Sequence, residues 1–293
     1  MKFIVSSSAL SRQLAAVSGV IVNNPVVPIL ENFLFEIEGK QLSVTASDLQ
    51  NSMTTTLGIG AQESTSIAIP ARILLETLRN LPEQPVTFSI NESTYSVEIS
   101  SDNGRYRLAG ENAADFPQLK MMQEGVSVDM NAEALKKAIN QTIIAMSSNE
   151  LRPAMNGVYM NFGEASATFV ATDGHRLVRY TRSDIGVATQ RPFIVPKKTL
   201  MLLNALLPSE RQTVNLAFSD NTVYFKLANI SMVSLLIDKR YPDYENVIPT
   251  SNPNKLTINR LAFLSSLKRI AIYANRTTHQ IKLDIASDSC RRF

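Results

Sequence analysis

Cysteine is nearly absent from this chain of 293 residues, and so is histidine: Cys290 stands alone, with His175 and His279. One thiol excludes an internal disulfide, and one cysteine with two distant histidines provides no zinc-ligand spacing, so no metal is expected. Long hydrophobic runs are also missing. No stretch reaches the about 18 apolar residues that a membrane span needs, and MKFIVSSSALSRQL has no long apolar segment before a small-residue cleavage site. Neither a membrane partner nor a secretory leader is indicated, and a cytoplasmic location is expected.

The catalytic signatures are missing as well. There is no G-x-x-x-x-G-K-[ST] loop, no G-x-G-x-x-G turn, no G-x-S-x-G elbow and no HExxH. The only tempting cluster is Asp173 with His175 in ATDGHRL, which a hydrolase would need to combine with a nucleophile from elsewhere. Asp-Gly following a strand is first a turn signal, so a locally hydrogen-bonded turn competes with that reading. No catalytic residue and no cofactor are therefore assigned.

What the chain does contain is a repeat. Alternating, β-branched stretches predict strands at 32–37, 41–45, 86–90, 95–100, 105–109, 157–162, 168–171, 223–227 and 280–285. Helical periodicity predicts five helices, at 8–18, 70–81, 131–146, 196–207 and 259–275. Their apolar faces are Leu10, Leu14 and Val17; Ile73, Leu74, Thr77, Leu78 and Leu81; Leu135, Ile139, Thr142 and Met146; Leu200, Leu203 and Leu207; and Phe263, Leu267, Ile270 and Ala274. Pro70 and Pro196 open two helices, and Asn131 and Asn259 cap two others. Ala46-Ser47-Asp48 answers Ala171-Thr172-Asp173 at a spacing of 125, and Ile69-Pro70-Ala71-Arg72 answers Val195-Pro196-Lys197-Lys198 at 126. The pattern predicts an α+β tandem of antiparallel sheets and helices: units 1–125 and 126–250, then an incomplete unit 251–293.

Charge follows the same division. The net charge is only +3, yet the five helices hold ten basic residues (Arg12, Arg72, Arg79, Lys136, Lys137, Lys197, Lys198, Arg260, Lys268, Arg269) and only two acidic ones, Glu76 and Glu133. The helices thus carry +8 and the remainder −5. Glutamate forms helices as well as lysine does, so propensity does not explain its scarcity there. Basic helices on one surface would suit the phosphates of duplex DNA, and no aromatic ladder or recognition helix points to base readout.

Several segments carry a family resemblance: VATDGHRLVRY, preceded by RPAMNGVYMNF and followed by IVPKK and DKRYPDYENVIP, with MKFIVSSSALSRQLAAVSG, PVVPILENFLFE, TASDLQ, IPARILLETLRNLP and AADFP earlier. The chain resembles the bacterial β sliding clamps, the processivity subunits of DNA polymerase III, from Met1 to about Ile285. The resemblance implies a DNA clamp fold with three repeats per chain, basic helices lining a central channel, and two chains closing head to tail around duplex DNA. Arg72, Arg79, Lys136, Lys137, Lys197 and Lys198 are then the DNA-facing residues. Asn24, Pro153 and Ala154 stand where the family has a basic residue and aromatic residues. The resemblance also implies a cleft for peptides of the polymerase catalytic subunit, the clamp loader and other clamp-binding proteins, formed here by Met155, Thr172, Gly174, His175, Arg176, Leu177, Pro242 and Val247. It places Tyr106 and Leu108 in a homodimer interface opposite Ile272 and Tyr273. The shortened third repeat leads to the expectation of a truncated clamp that keeps part of its peptide-binding surface without forming a stable closed ring.

Overall fold

A computed structural model describes residues 1–61, 63–119, 125–187, 191–208, 212–285 and 290–292. Its contacts define two units, Met1–Pro242 and Asp243–Phe293.

The first unit runs β1 (Lys2–Ser6), α1 (Ser7–Val17), β2 (Asn32–Glu38), β3 (Gln41–Ser47), β4 (Asn51–Gly58), a two-residue β5 (Gly60–Ala61), β6 (Thr65–Pro70), α2 (Ala71–Asn80), β7 (Pro85–Asn91), β8 (Ser96–Ser101) and β9 (Gly104–Ala109). The order then recurs as β10 (Val126–Asn131), α3 (Ala132–Thr142), β11 (Gly157–Phe162), β12 (Ala167–Thr172), β13 (Leu177–Arg182), β14 (Arg191–Pro196), α4 (Lys197–Leu206), β15 (Thr213–Phe218), β16 (Thr222–Leu227) and β17 (Ile230–Leu235). Strand registers repeat too. Ser47 faces Ser52 across β3 and β4, and Thr172 faces Leu177 across β12 and β13. Ser101 faces Gly104 across β8 and β9, and Leu227 faces Ile230 across β16 and β17.

Three antiparallel sheets result, ordered β5-β1-β7-β8-β9, β10-β15-β16-β17-β4-β3-β2-β6 and β13-β12-β11-β14. The eight-stranded sheet joins the repeats, because β17 of the second lies antiparallel to β4 of the first. In that seam Met53 faces Met232 and Thr54 faces Ser231. Side chains fasten both ends of it. At one end Asp48, in the β3–β4 turn, pairs with Lys198 of α4, while the buried Thr199 hydroxyl donates to Asn51 Oδ1 at 2.8 Å and shares a 2.7 Å bond with Ser234. At the other, Gln13 Oε1 of α1 accepts from the Thr55 hydroxyl at 2.6 Å and from Asn229 Nδ2 at 2.8 Å.

The helices bury the faces their periodicity dictates. Leu10, Leu14, Val17, Leu135, Ile139, Leu200 and Leu203 are fully buried. In α2 the buried face is Ala71, Leu74, Leu75 and Leu78, and the expected Ile73 is 53% exposed. Both leucines at 74 and 75 face inward, which rotates the apolar stripe away from Ile73. Asn131 caps α3, its Oδ1 accepting from the Ala134 N–H at 3.1 Å. Pro70 and Pro196 act as the last residues of β6 and β14 and occupy the N-cap positions, one residue before the helical position expected.

In the second unit α5 (Arg260–Ala271) is capped by Asn259, whose Oδ1 accepts from the Ala262 N–H at 3.0 Å. Phe263, Leu267, Ile270 and Ala274 are half-buried, and no residue of α5 is fully buried. The helix ends at Ala271, before the expected 275, and the expected strand shortens to β18 (Leu283–Ile285), paired with β19 (Cys290–Arg292). The side chain of Cys290 lies outside the described residues.

Candidate functional site

All ten basic and both acidic helix residues of the sequence reading fall inside the observed helices. Their side chains differ in what they are free to do. Arg79 and Lys137 are exposed, and exposed Arg72 pairs with Glu76 one turn away at 3.2 Å. Lys197 reaches Ser148 Oγ at 3.3 Å. Lys136 donates to the carbonyl of Leu207 at 2.7 Å and so closes the C-terminal end of α4, where a cation is favoured. Lys198 is spent on Asp48, whose side chain is only 6% exposed. Two of the six residues expected to meet DNA therefore hold the fold as well, a duty that sequence spacing did not reveal.

The ATDGHRL segment forms the turn between β12 and β13, locked by its own side chains. Asp173 Oδ1 accepts from the N–H groups of His175 and Arg176 at 2.9 and 3.0 Å, and Oδ2 accepts from Arg176 Nε at 2.9 Å. The hydrogen bonds from the Arg176 and His175 N–H groups hold the Asp173 carboxyl at about 2, below its ordinary 3.8. Thr172 Oγ1 donates to Arg176 O at 2.8 Å and accepts from the Gly174 N–H at 3.1 Å. Gly174 has φ +90°, a conformation that excludes most side chains, and a Cβ there would lie 2.8 Å from the Arg152 guanidinium. The turn and the 149–155 loop therefore touch. The Asp173 carboxylate binds backbone and Arg176, not the imidazole of His175, so the pair does not form the base and orienter of a hydrolase.

Comparison within the repeat shows why this region is available. The residue 125 places before Met155 is Leu30, which is 1% exposed and packed with Ile29, Leu34, Ala68 and Phe116. Met155 is half-buried, as is Leu177. Tyr241 takes the place of Phe116: its ring stacks on Tyr159 at 4.9 Å and its hydroxyl donates to Val170 O at 3.4 Å, leaving Pro242 half-buried beside it. Thr172, Gly174, His175, Arg176 and Leu177 are thus gathered on one turn, with Met155 at the end of the loop that meets it. Val247, in the second unit, is 67% exposed.

β9 is an edge strand, carrying half-buried Tyr106 and buried Leu108. Ile272 and Tyr273 follow α5 in the second unit and are 78% and 89% exposed. Among the described residues no group of three His, Cys, Asp or Glu could hold a metal ion, and no helix is long and apolar enough to cross a membrane.

The tandem of antiparallel sheets and basic helices is the architecture of a DNA-clamp protein. Residues 1–120 match the DNA polymerase III beta subunit N-terminal domain and residues 129–243 its central domain. The beta sliding clamp of Vibrio cholerae is 30% identical over 99% of this chain and 80% of its own length; that of Caulobacter vibrioides is 31% identical over 97% and 78%. Among solved structures, the DNA polymerase III subunit beta of Pseudomonas aeruginosa is 26% identical with a TM-score of 0.93, covering all of this chain and 80% of that one. The chain belongs to the DNA polymerase III beta subunit family, the bacterial sliding clamps, and its role is that of a non-catalytic polymerase processivity factor.

Proposed function

We propose that Arg72, Arg79, Lys137 and Lys197 provide the main attraction to duplex DNA, with Lys136 and Lys198 contributing less because each has an internal partner. The observation that carries this reading is the concentration of basic charge on helices that hold only two carboxylates. Such contacts are non-specific and salt-sensitive, which lets a clamp hold DNA and still slide. Fluorescence anisotropy with two duplexes of unrelated sequence tests it. Equal affinities that fall together with salt are expected; a preference for one sequence, or no salt dependence, defeats it.

The second element is recognition of partner peptides. Met155, Leu177 and Pro242 supply apolar surface, and Thr172, Gly174, His175 and Arg176 supply polar fixing points for a short peptide from the polymerase, the clamp loader or another clamp-binding protein. Tethering then raises the polymerase's effective concentration at the primer end. The units 1–125, 126–250 and 251–293 act as successive clamp repeats in a cytoplasmic protein. Homodimer closure would use Tyr106 and Leu108 of β9 against Ile272 and Tyr273 of another copy. Light scattering tests this closure: a concentration-independent mass near twice 32.4 kDa supports it, and a monomeric mass at every concentration refutes it.

A further inference from the structure

Two asparagines of the first unit precede glycine, Asn103 and Asn156. In such a pair the glycine nitrogen can attack the asparagine Cγ, because no Cβ crowds it. The fold treats the two oppositely. The Asn156 carbonyl accepts from the Lys197 N–H at 3.0 Å, and Gly157 lies in β11 with the carbonyl of Val195 packed where a Cβ would stand, so neither can swing toward the other. Asn156 Oδ1 is buried without a donor among the described residues. Asn103 instead occupies the exposed two-residue turn between β8 and β9, where Ser101 faces Gly104.

A buried glutamine is aimed at that turn. Gln84, 7% exposed, is fixed through its backbone: its N–H donates to Ser7 Oγ at 3.1 Å and its carbonyl accepts from the Ser7 N–H at 2.9 Å. Gln84 Oε1 accepts from the Asp102 N–H at 2.8 Å, a bond that only the oxygen of the carboxamide can make, so Nε2 is turned to Asn103 and donates to its Oδ1 at 2.7 Å. The Asn103 N–H donates to Ser101 Oγ at 3.2 Å, and that hydroxyl donates to Gly104 O at 3.2 Å. The side-chain carbonyl of Asn103 is therefore polarised by a positioned donor, next to an unshielded nitrogen. A donor so placed stabilises the negative charge that gathers on Oδ1 when the carbonyl is attacked.

We propose that Asn103 is a site of self-modification, deamidation through its own backbone, and that Gln84 promotes it. The Gly104 nitrogen bonds to Cγ of Asn103 and gives up its proton; the Cγ–Nδ2 bond breaks, and ammonia leaves with that proton. Water then opens the cyclic imide at either carbonyl and leaves an α-linked or a β-linked aspartyl residue, so no oxidant or reductant is needed. Either product sets a second carboxylate beside Asp102 ahead of β9, and the β-linked one lengthens the turn by a backbone carbon. Ageing the full chain at neutral pH and mapping its peptides by mass spectrometry tests the proposal. Position 103 should gain a carboxyl while position 156 stays an amide. Gln84→Glu keeps an acceptor for the Asp102 N–H and offers Asn103 no donor; it should slow conversion at 103 about tenfold, and Gln84→Met, which removes donor and acceptor together, should slow it similarly. Circular dichroism and melting curves establish which variants are folded. No conversion at 103, conversion at 156 as fast as at 103, or an unchanged rate at 103 in either folded variant overturns the proposal.

Discussion

Replacing Lys198 should affect stability and leave DNA binding nearly unchanged, the reverse of what its place on a basic helix suggests. Asp48 accepts from the Gln50 N–H at 3.0 Å, from the Asn51 N–H at 2.6 Å, from Asn51 Nδ2 at 3.3 Å and from Lys198. Asp48→Ala removes every acceptor at once and strands the N–H of Asn51, a residue only 1% exposed; hydrogen bonds to a charged group contribute about 1.5–3 kcal/mol, so a loss of about 3 kcal/mol is expected. Lys198→Met leaves the carboxylate with its three N–H donors. Lys198 is also 40% exposed, so breaking the pair should cost about 1–1.5 kcal/mol, below the 3–5 kcal/mol typical of a fully buried pair. Urea denaturation of both single variants and the double variant gives the coupling energy, expected at about 1 kcal/mol. In DNA titrations, Arg79→Ala or Lys137→Ala should reduce the slope of log affinity against log salt by about 0.9, whereas Lys198→Met should barely move it. If Lys198→Met flattens the salt slope as much as Arg79→Ala, or destabilises as much as Asp48→Ala, the assigned role of the ion pair is wrong.

Three further outcomes can be measured. Replacing Arg72, Arg79, Lys137 and Lys197 together by alanine should lower the salt slope by roughly 3 to 4 while leaving the melting temperature within a few degrees, read by anisotropy and calorimetry. Asp173 titrates at about 2 when folded against an ordinary 3.8, so its contribution is complete above about pH 5 and lost as the pH falls through 2; acid unfolding of Asp173→Asn should lack this component, about 1 kcal/mol after solvent screening, and an unchanged pH profile would count against the turn's geometry. Gly157→Ala places a Cβ 2.4 Å from the carbonyl of Val195 in the adjoining strand β14, so it should destabilise by about 2 kcal/mol or more, and a neutral result in urea would show the strands are not that close.

Much of the fold was legible because its signals are local. Asn131 and Asn259 are the caps their position implies, and the 125-residue echo of Asp48 in Asp173 appears as two turns with the same Asp-to-backbone bonds. Other strands escaped notice, among them β4, β13 and β17, although each pairs with the strand just before it. β4, NSMTTTLG, reads as polar because its threonines meet Gln13 and Thr45 of the neighbouring strand, and β17, ISMVSL, mixes serines with apolar residues because it lies between β16 and β4. The turn proposed to meet partner peptides was singled out through the family motif, and its composition alone suggested only a turn. Three-dimensional proximity also had to reveal that Arg152 lies against Gly174 and that Lys136 and Lys198 are occupied. The repeat itself held one clue: Asp48 sits at Asp173's counterpart, so a cation for Asp48 could have been sought in the helix at the adjoining seam.

The eight-stranded sheet has a consequence for how the chain comes apart. Because β17 and β4 share a hydrogen-bond ladder, neither repeat can lose its sheet without exposing an edge of the other, so Met1–Pro242 should melt as one cooperative foldon. The amides of α5, whose residues are never fully buried, should exchange with solvent long before those of β3, β4 and β17, and brief proteolysis should trim the chain back toward Pro242 while the joined repeats persist.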